Sequence, residues 1–249
     1  MANKSDVSGE IEDLAKVWQN YSLLDQEIKL WQKERGAFWQ EALQPEAEPP
    51  YYPVGNFPEA VVLELWQRLN KAAQGTVSET ELKEAWQAFR DEKAVPAEGL
   101  LSSLMISLKG IAELCRAKFG EGHELDLSVK AKAAPCPVCG EMAVLSVLRP
   151  PAGKRFLLCT VCGHEWPVMR SACIRCGNQE PTKQNYLNAK EFPGVEVVVC
   201  DACGQYFKEF DLRLLAADDF MWEDMRTLPL NYAAEQWLGE LAKKNGSIQ

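Results

Sequence analysis

The chain has 249 residues, 47% of them hydrophobic and 25% charged, with a formal charge of -9. That length supports one large or two smaller domains with a real core. The acidic balance argues against a nucleic-acid binder, whose affinity comes largely from Lys and Arg neutralising phosphates.

The opening MANKSDVSGEIEDL is polar and acidic, without the basic and apolar regions of a secretory leader, so none is expected. From there to about residue 43 the pattern is helical: Ile11, Leu14, Trp18, Tyr21, Leu24, Ile28 and Trp31 recur at three- and four-residue steps. QPEAEPPYYPVGNFP follows, with five prolines in fifteen residues, and reads as a linker or an extended surface segment. A second helix is expected from near Pro58, a residue suited to a first turn, with Val61, Val62, Leu65, Trp66 and Leu69 on one stripe.

In TVSETELKEAWQAFR, Ser78 and Glu81 form a capping-box pattern, which predicts a helix from about 79 to 93 that stops before Pro96. The most apolar segment, about 97–119, reads as a core helix ended by Gly120. It contains Cys115, best read as a buried and inert thiol. No apolar run approaches 18 residues, so no membrane span is expected and the chain reads as soluble and intracellular. The polar stretch GEGHELDLSVKAKAA reads as a linker, with His123 in it.

Beyond the linker the texture changes to short β-type runs, VLSVLR, KRFLLC and VEVVVC, with RPPAG as a turn between the first two. Four Cys-x-x-Cys pairs punctuate this part: Cys136 and Cys139, Cys159 and Cys162, Cys173 and Cys176, Cys200 and Cys203. In a reducing compartment such pairs favour metal ligation or redox chemistry over disulfides. Each lets one turn present two sulfurs to a single ion, and the glycine after each pair (Gly140, Gly163, Gly177, Gly204) suits the positive-φ position closing that turn. Nineteen residues separate pairs one and two, and 23 separate pairs three and four. Both inserts suit a hairpin returning to the same ion, so two sequential four-cysteine sites are expected, with a cross-braced arrangement as second choice. A thioredoxin-type dithiol is disfavoured because no pair sits between a strand and a long helix. Four thiolates close a coordination shell, so the default role is structural; zinc and iron both accept such a set.

Charge follows the same division. Residues 1–127 sum to -9, residues 128–209 to +3 and residues 210–249 to -3. Two divalent ions on eight thiolates would take the middle segment to about -1. Arg149, Lys154, Arg155, Arg170 and Arg175 cluster there, readable either as a surface for an acidic partner or as local compensation for thiolate charge. His164 reads as a solvent-facing loop residue and Trp166 as a residue to watch beside a knuckle. From Asp211, LRLLAADDFMWEDMR reads as helix, then a break at Pro229, then LNYAAEQWLGELAKK. Asp218, Asp219, Glu223 and Asp224 read as a solvated face. No Ser-His-Asp order, phosphate-cradling loop or paired-carboxylate motif stands out. The expected class is α+β: a helical bundle (1–127), a tandem module of two rubredoxin- or zinc-ribbon-like four-cysteine sites (128–209) and C-terminal helices (210–249).

CPVCG, KRFLLCTVCGHEW, R-x-x-C-x-x-CGN and C-x-x-CGQYFK resemble the formate dehydrogenase accessory protein family of FdhE type. The resemblance also takes in Arg155, Leu158, Trp166, Arg170, Asn178, Tyr186, Glu191, Tyr206 and Lys208, and extends through about 136–238. The basic residue that family members often carry before the last pair has no counterpart in EVVVC. The resemblance implies a cytoplasmic maturation factor, not an enzyme, that binds the catalytic subunit of a formate dehydrogenase and assists its assembly or activation. It implies rubredoxin-like sites able to hold iron, so the cofactors expected are two metal ions per chain, iron or zinc. No nucleic-acid or membrane partner is expected, while a second copy of the chain is a further candidate. The alternatives are a zinc-ribbon nucleic-acid-binding protein and a rubredoxin-type electron carrier.

Overall fold

A computed structural model describes residues 4–95, 99–120, 135–217 and 219–246. His123, Asp218, the linker and the boundary near 127 lie outside these residues. The helices of the first half are α1 (Lys4–Ala42), α2 (Glu59–Ala72), α3 (Glu79–Arg90) and α4 (Leu100–Gly120). The strands are β1 (Leu145–Arg149), β2 (Lys154–Leu158), β3 (Glu165–Pro167), β4 (Gln184–Asn188), β5 (Val195–Cys200) and β6 (Gln205–Asp211). Two helices close the chain, α5 (Phe220–Arg226) and α6 (Leu228–Gly246). The described residues fall into two compact units: the four long helices with the segments 135–141 and 161–163, and the strands with α5 and α6.

In the helical unit the expected stripes supply the core. Ile28 and Trp31 of α1, Val61, Val62, Leu65, Trp66 and Leu69 of α2, and Leu104, Leu108 and Ile111 of α4 are buried. Each large apolar side chain withdrawn from water contributes about 1.5–3 kcal/mol before entropy is counted. The helices approach closely at Gly110, where an added Cβ would stand 2.8 Å from Leu65 and 2.9 Å from Ile28. The capping box forms as expected: Ser78 Oγ accepts from the Glu81 N–H, and Glu81 accepts from the Ser78 N–H at 2.8 Å. Pro58 stands one residue before α2, at its N-cap.

The proline-rich stretch is more than a surface linker. Tyr52, Val54 and Phe57 are buried, and the N–H groups of Tyr51, Tyr52 and Val54 donate to the carbonyls of Pro137, Val138 and Cys139 at 3.0, 2.7 and 3.2 Å. A tight cysteine turn leaves carbonyls facing outward, and buried carbonyls need donors. The extended chain supplies them.

One carboxylate ties α1 to α2. Glu64 accepts from Trp31 Nε1 at 2.8 Å and Trp39 Nε1 at 2.9 Å, and takes the Arg35 guanidinium on both oxygens at 3.0 Å. Burial alone would raise its pKa, but the hydrogen bonds from Arg35, Trp39 and Trp31 hold it below the ordinary glutamate value.

The six strands form one sheet in the order β3-β2-β1-β6-β5-β4. β1–β2–β3 and β4–β5–β6 are each antiparallel, and the two halves join through the parallel pair β1–β6, with Leu145 opposite Lys208 and Leu148 opposite Asp211. On one face Leu145, Val147, Leu158, Val195, Val197, Val199 and Phe210 pack with Leu230 and Ala234 of α6. The tail departs from expectation. Residues 212–217 are not helical, and Asp211 accepts from the Arg213 N–H at 3.0 Å in a local turn. α5 starts just after Asp219, whose side chain caps the N–H groups of Met221 and Trp222. Pro229 lies inside the first turn of α6, where a missing N–H costs nothing, so the break falls at Thr227 instead.

Replacing Glu64 by Gln is expected to lower the stability of the full chain by about 1.5–3 kcal/mol at neutral pH, the range for hydrogen bonds to a charged group. A carboxyl whose folded pKa is depressed stabilises above its unfolded value and loses that contribution as pH falls through the folded one. Denaturant titrations of wild type and E64Q should therefore converge as the pH drops below about 4; a constant difference across that range would contradict the role given to Glu64.

Candidate metal centres

The four cysteine turns are built alike. In three of them the N–H of the first cysteine donates to the carbonyl five residues on: Cys136 to Glu141, Cys159 to His164 and Cys173 to Asn178, at 2.8, 2.9 and 2.8 Å. In the fourth, Cys200 stands opposite Gln205 in the β5–β6 pairing. The closing glycines Gly140, Gly163, Gly177 and Gly204 have φ of 84°, 70°, 74° and 66°, where a side chain would be strained. A sequence of turn, hairpin, turn and strand is thus executed twice.

These turns bring the sulfurs together in fours. Cys136, Cys139, Cys159 and Cys162 form one set and Cys173, Cys176, Cys200 and Cys203 the other, with all ligand atoms of a set within 4.8 Å of one another. The pairing is sequential, and the cross-braced alternative is not adopted. Sulfur separations are 3.5 Å for Cys136–Cys162 and 3.8 Å for both Cys173–Cys203 and Cys176–Cys200. A tetrahedral ion with sulfurs at about 2.3 Å sets them about 3.8 Å apart. Disulfide sulfurs would lie about 2.05 Å apart, and none of the eight cysteines is joined in a disulfide. Both clusters are therefore able to bind a metal ion.

Their surroundings differ. All four residues of the first cluster are buried, whereas in the second Cys176 is exposed and Cys203 partly so. Burial raises the Cys173 thiol above its ordinary pKa, against backbone N–H groups of Cys176 and Arg175; the Arg175 N–H lies 3.4 Å from its sulfur. Burial also pushes Cys176 upward, but the Asn178 N–H and the neighbouring thiols outweigh it and bring the group below its ordinary value. Such donors favour thiolate, the form that ligates.

The other residues marked in the sequence find varied places. Cys115 is fully buried and its thiol is pushed up to about 12, mainly by burial, in line with an inert core cysteine. His164 is half-buried and not solvent-facing: its ring stacks 5.9 Å from that of Trp166, which is itself buried. The acidic tail residues are not a solvated face. Asp219 is a cap, Glu223 is buried beside Arg226, and Asp224 accepts from Lys208 Nζ at 2.6 Å. Nor do the five basic residues form one surface. Arg149 pairs with Glu165, and Arg155 is buried.

Arg155 marks what sequence reasoning missed, the join between the two cysteine-bearing halves. Its guanidinium takes both oxygens of Glu209, at 2.6 and 3.2 Å, and donates to the Ala172 carbonyl at 3.1 Å. Ser146 Oγ donates to the same carboxylate at 2.9 Å. Glu209 lies in QYFKEFD, where aromatic and charged residues fall on both faces of β6, so no apolar alternation betrays the strand.

The α+β scaffold defined here fuses two cysteine-turn ribbons, each with a cluster able to bind a metal ion, into one sheet accompanied by helices. Residues 135–170 match the family model "FdhE, central domain". Curated relatives named "Protein FdhE homolog" include one from Aquifex aeolicus (strain VF5), 35% identical over 106 residues, covering 41% of this chain and 37% of that one. Another, from Enterobacter sp. (strain 638), is 35% identical over 129 residues, covering 49% of this chain and 36% of its own. The matched region thus spans little more than a third of those relatives. The crystal structure of the FdhE protein from Pseudomonas aeruginosa shares the fold, with a TM-score of 0.51 over 87% of this chain and 83% of that one, at 18% identity. Over part of its length this chain is similar to FdhE proteins. No helix among the described residues is long and apolar enough to cross a membrane.

Removing the Arg155 guanidinium leaves Glu209 a buried carboxylate that keeps the hydrogen bond from Ser146 but loses its ion pair. R155M is expected to destabilise the protein by about 3–5 kcal/mol, and R155M/E209L to recover most of that loss. Chemical denaturation of the three proteins checks it; a double variant no better than R155M would show that the pair does not act as a unit.

Proposed function

We propose that this chain is an accessory factor that binds the catalytic subunit of a formate dehydrogenase and assists its assembly or activation. Its likeness to FdhE proteins supports the reading, and one structural observation carries it: two four-sulfur clusters brace ribbons held as a single sheet by Arg155 and Glu209. Four protein ligands leave a bound ion no position for substrate, so the clusters serve shape and not turnover. The chain works by binding rather than by catalysis, in the cytoplasm. Cys136, Cys139, Cys159 and Cys162 hold one ion, and Cys173, Cys176, Cys200 and Cys203 a second, each iron or zinc. Residues 128–209 act as the metal-braced module, flanked by 1–127 and 210–249. The net charge of -9 favours a protein client over a nucleic acid.

Elemental analysis of anaerobically prepared protein is expected to return about two ions per chain, one for each cluster. Because thiolates ligate and thiols do not, the ions should leave as the pH falls, with unfolding of the sheet unit alongside. Fewer than one ion per chain would contradict the assignment. Affinity capture from anaerobic cells of the native host should recover the formate dehydrogenase catalytic subunit, and a C136S/C139S variant should recover less of it. Retention of nucleic acid alone would overturn the proposed client.

A further inference from the structure

On the sheet face away from α6, within the strand-bearing unit, lies a cavity of about 840 Å³. That is within the range of about 300–1,000 Å³ typical of ligand pockets. The buried Arg155–Glu209 pair lines it, together with the segment 169–171, the turn between β4 and β5, and residues 211–214. Neither cluster's cysteines line it.

Its charges are unequal. Four cations, Arg155, Arg170, Lys190 and Arg213, face three acids, Glu196, Glu209 and Asp211. Arg155 is consumed by Glu209 and Arg213 by Asp211, the latter at 2.8 and 2.6 Å. Glu196 accepts from Asn188 at 3.2 Å. Arg170 and Lys190 make no direct ion pair among the described residues; Arg170 makes one long bond, 3.4 Å, to the Ala152 carbonyl. Arg170 also stands beside Arg213. A Cβ on Gly153, at φ +67°, would meet an Nη1 of each, 3.0 and 2.8 Å away. Two adjacent guanidiniums with one carboxylate between them leave a place for a second anion.

Part of the lining is apolar and exposed. Met169 is 40% exposed, Tyr186 49% and Leu214 71%, an unusual gathering of large apolar side chains at one opening. Tyr186 lies on β4, an edge strand of the sheet, whose outward backbone groups offer an extended chain hydrogen-bond partners. Cations without a direct ion pair, an exposed aromatic and a strand edge together suit a polypeptide more than a compact solute.

We infer that this cleft is a docking site for an extended acidic peptide segment, whose carboxylates meet Arg170 and Lys190 while an apolar neighbour packs on Tyr186 and Met169. The assignment stands on the cleft and does not depend on the formate dehydrogenase reading. It is tested with the anaerobically prepared full chain and a fluorescein-labelled decapeptide of alternating Glu and Leu, by fluorescence anisotropy. Binding should weaken with added salt. R170E, a substitution at an exposed side chain, should weaken it about tenfold, a Lys-Leu counterpart should fail to bind, and Tyr186→Ala should weaken binding separately. Unchanged metal content and circular dichroism confirm that each variant folds. Equal binding by R170E, or by the Lys-Leu peptide, would overturn the inference. So would failure of the Glu-Leu peptide, whether or not inorganic phosphate perturbs the cleft; phosphate binding would redirect it to a small anion.

Discussion

Four sulfurs converging on one point is the constraint from which the rest of the strand-bearing unit follows. A turn of the Cys-x-x-Cys type offers two, so two turns far apart in sequence must be returned to one place. The hairpin β1–β2 does this for Cys136–Cys139 and Cys159–Cys162, and β4–β5 does it for the second set. The clusters therefore determine where each hairpin begins and ends. In exchange the hairpins hold the sulfurs close together, at separations near those of a tetrahedral shell. Small β ribbons bury little apolar area, and this mutual support replaces the core they lack.

Fusion of the ribbons is governed by different chemistry. The inner strands β1 and β6 run parallel, and the join is reinforced by a buried guanidinium–carboxylate pair on one side and by α6 on the other. The apolar face against α6 supplies stability without regard to direction. Arg155 and Glu209 add direction, because a planar fork fits a carboxylate in one orientation only. Lys208, on the opposite face of β6 from Glu209, is held by the carbonyl and carboxylate of Asp224 and so fixes the start of the C-terminal helices. A single strand thus anchors two neighbouring parts through adjacent residues.

Much of this was legible in the sequence, and what was not has identifiable physical causes. The helices show because their apolar residues recur with the helical period and because Ser78 and Glu81 mark a start. The clusters show because cysteine spacing and the following glycines leave few alternatives. β3, β4 and β6 do not show: β3 has three residues, β4 is largely polar, and β6 carries charge on both faces, with Glu209 acquiring its meaning only from Arg155, far along the chain. Asp219, Glu223 and Asp224 look solvated for the same reason, since their partners, a helix start, Arg226 and Lys208, belong to structure that periodicity cannot reveal. Proline misleads in both directions. Pro229 sits comfortably in a first helical turn, and the proline-rich stretch before α2 turns out to supply donors to a cysteine turn.

The parallel ladder at the centre of the sheet has a consequence for biosynthesis. Leu145 pairs with Lys208, so a nascent chain that has just emerged with its first ribbon complete has nothing to lay against the other edge of β1 until the second ribbon has been translated. Loop closure over that distance is slow compared with forming either local hairpin. The first ribbon must wait on the ribosome as a half-sheet with a bare hydrophobic flank, and truncated products ending between the ribbons should be the ones that proteases and holdases recognise.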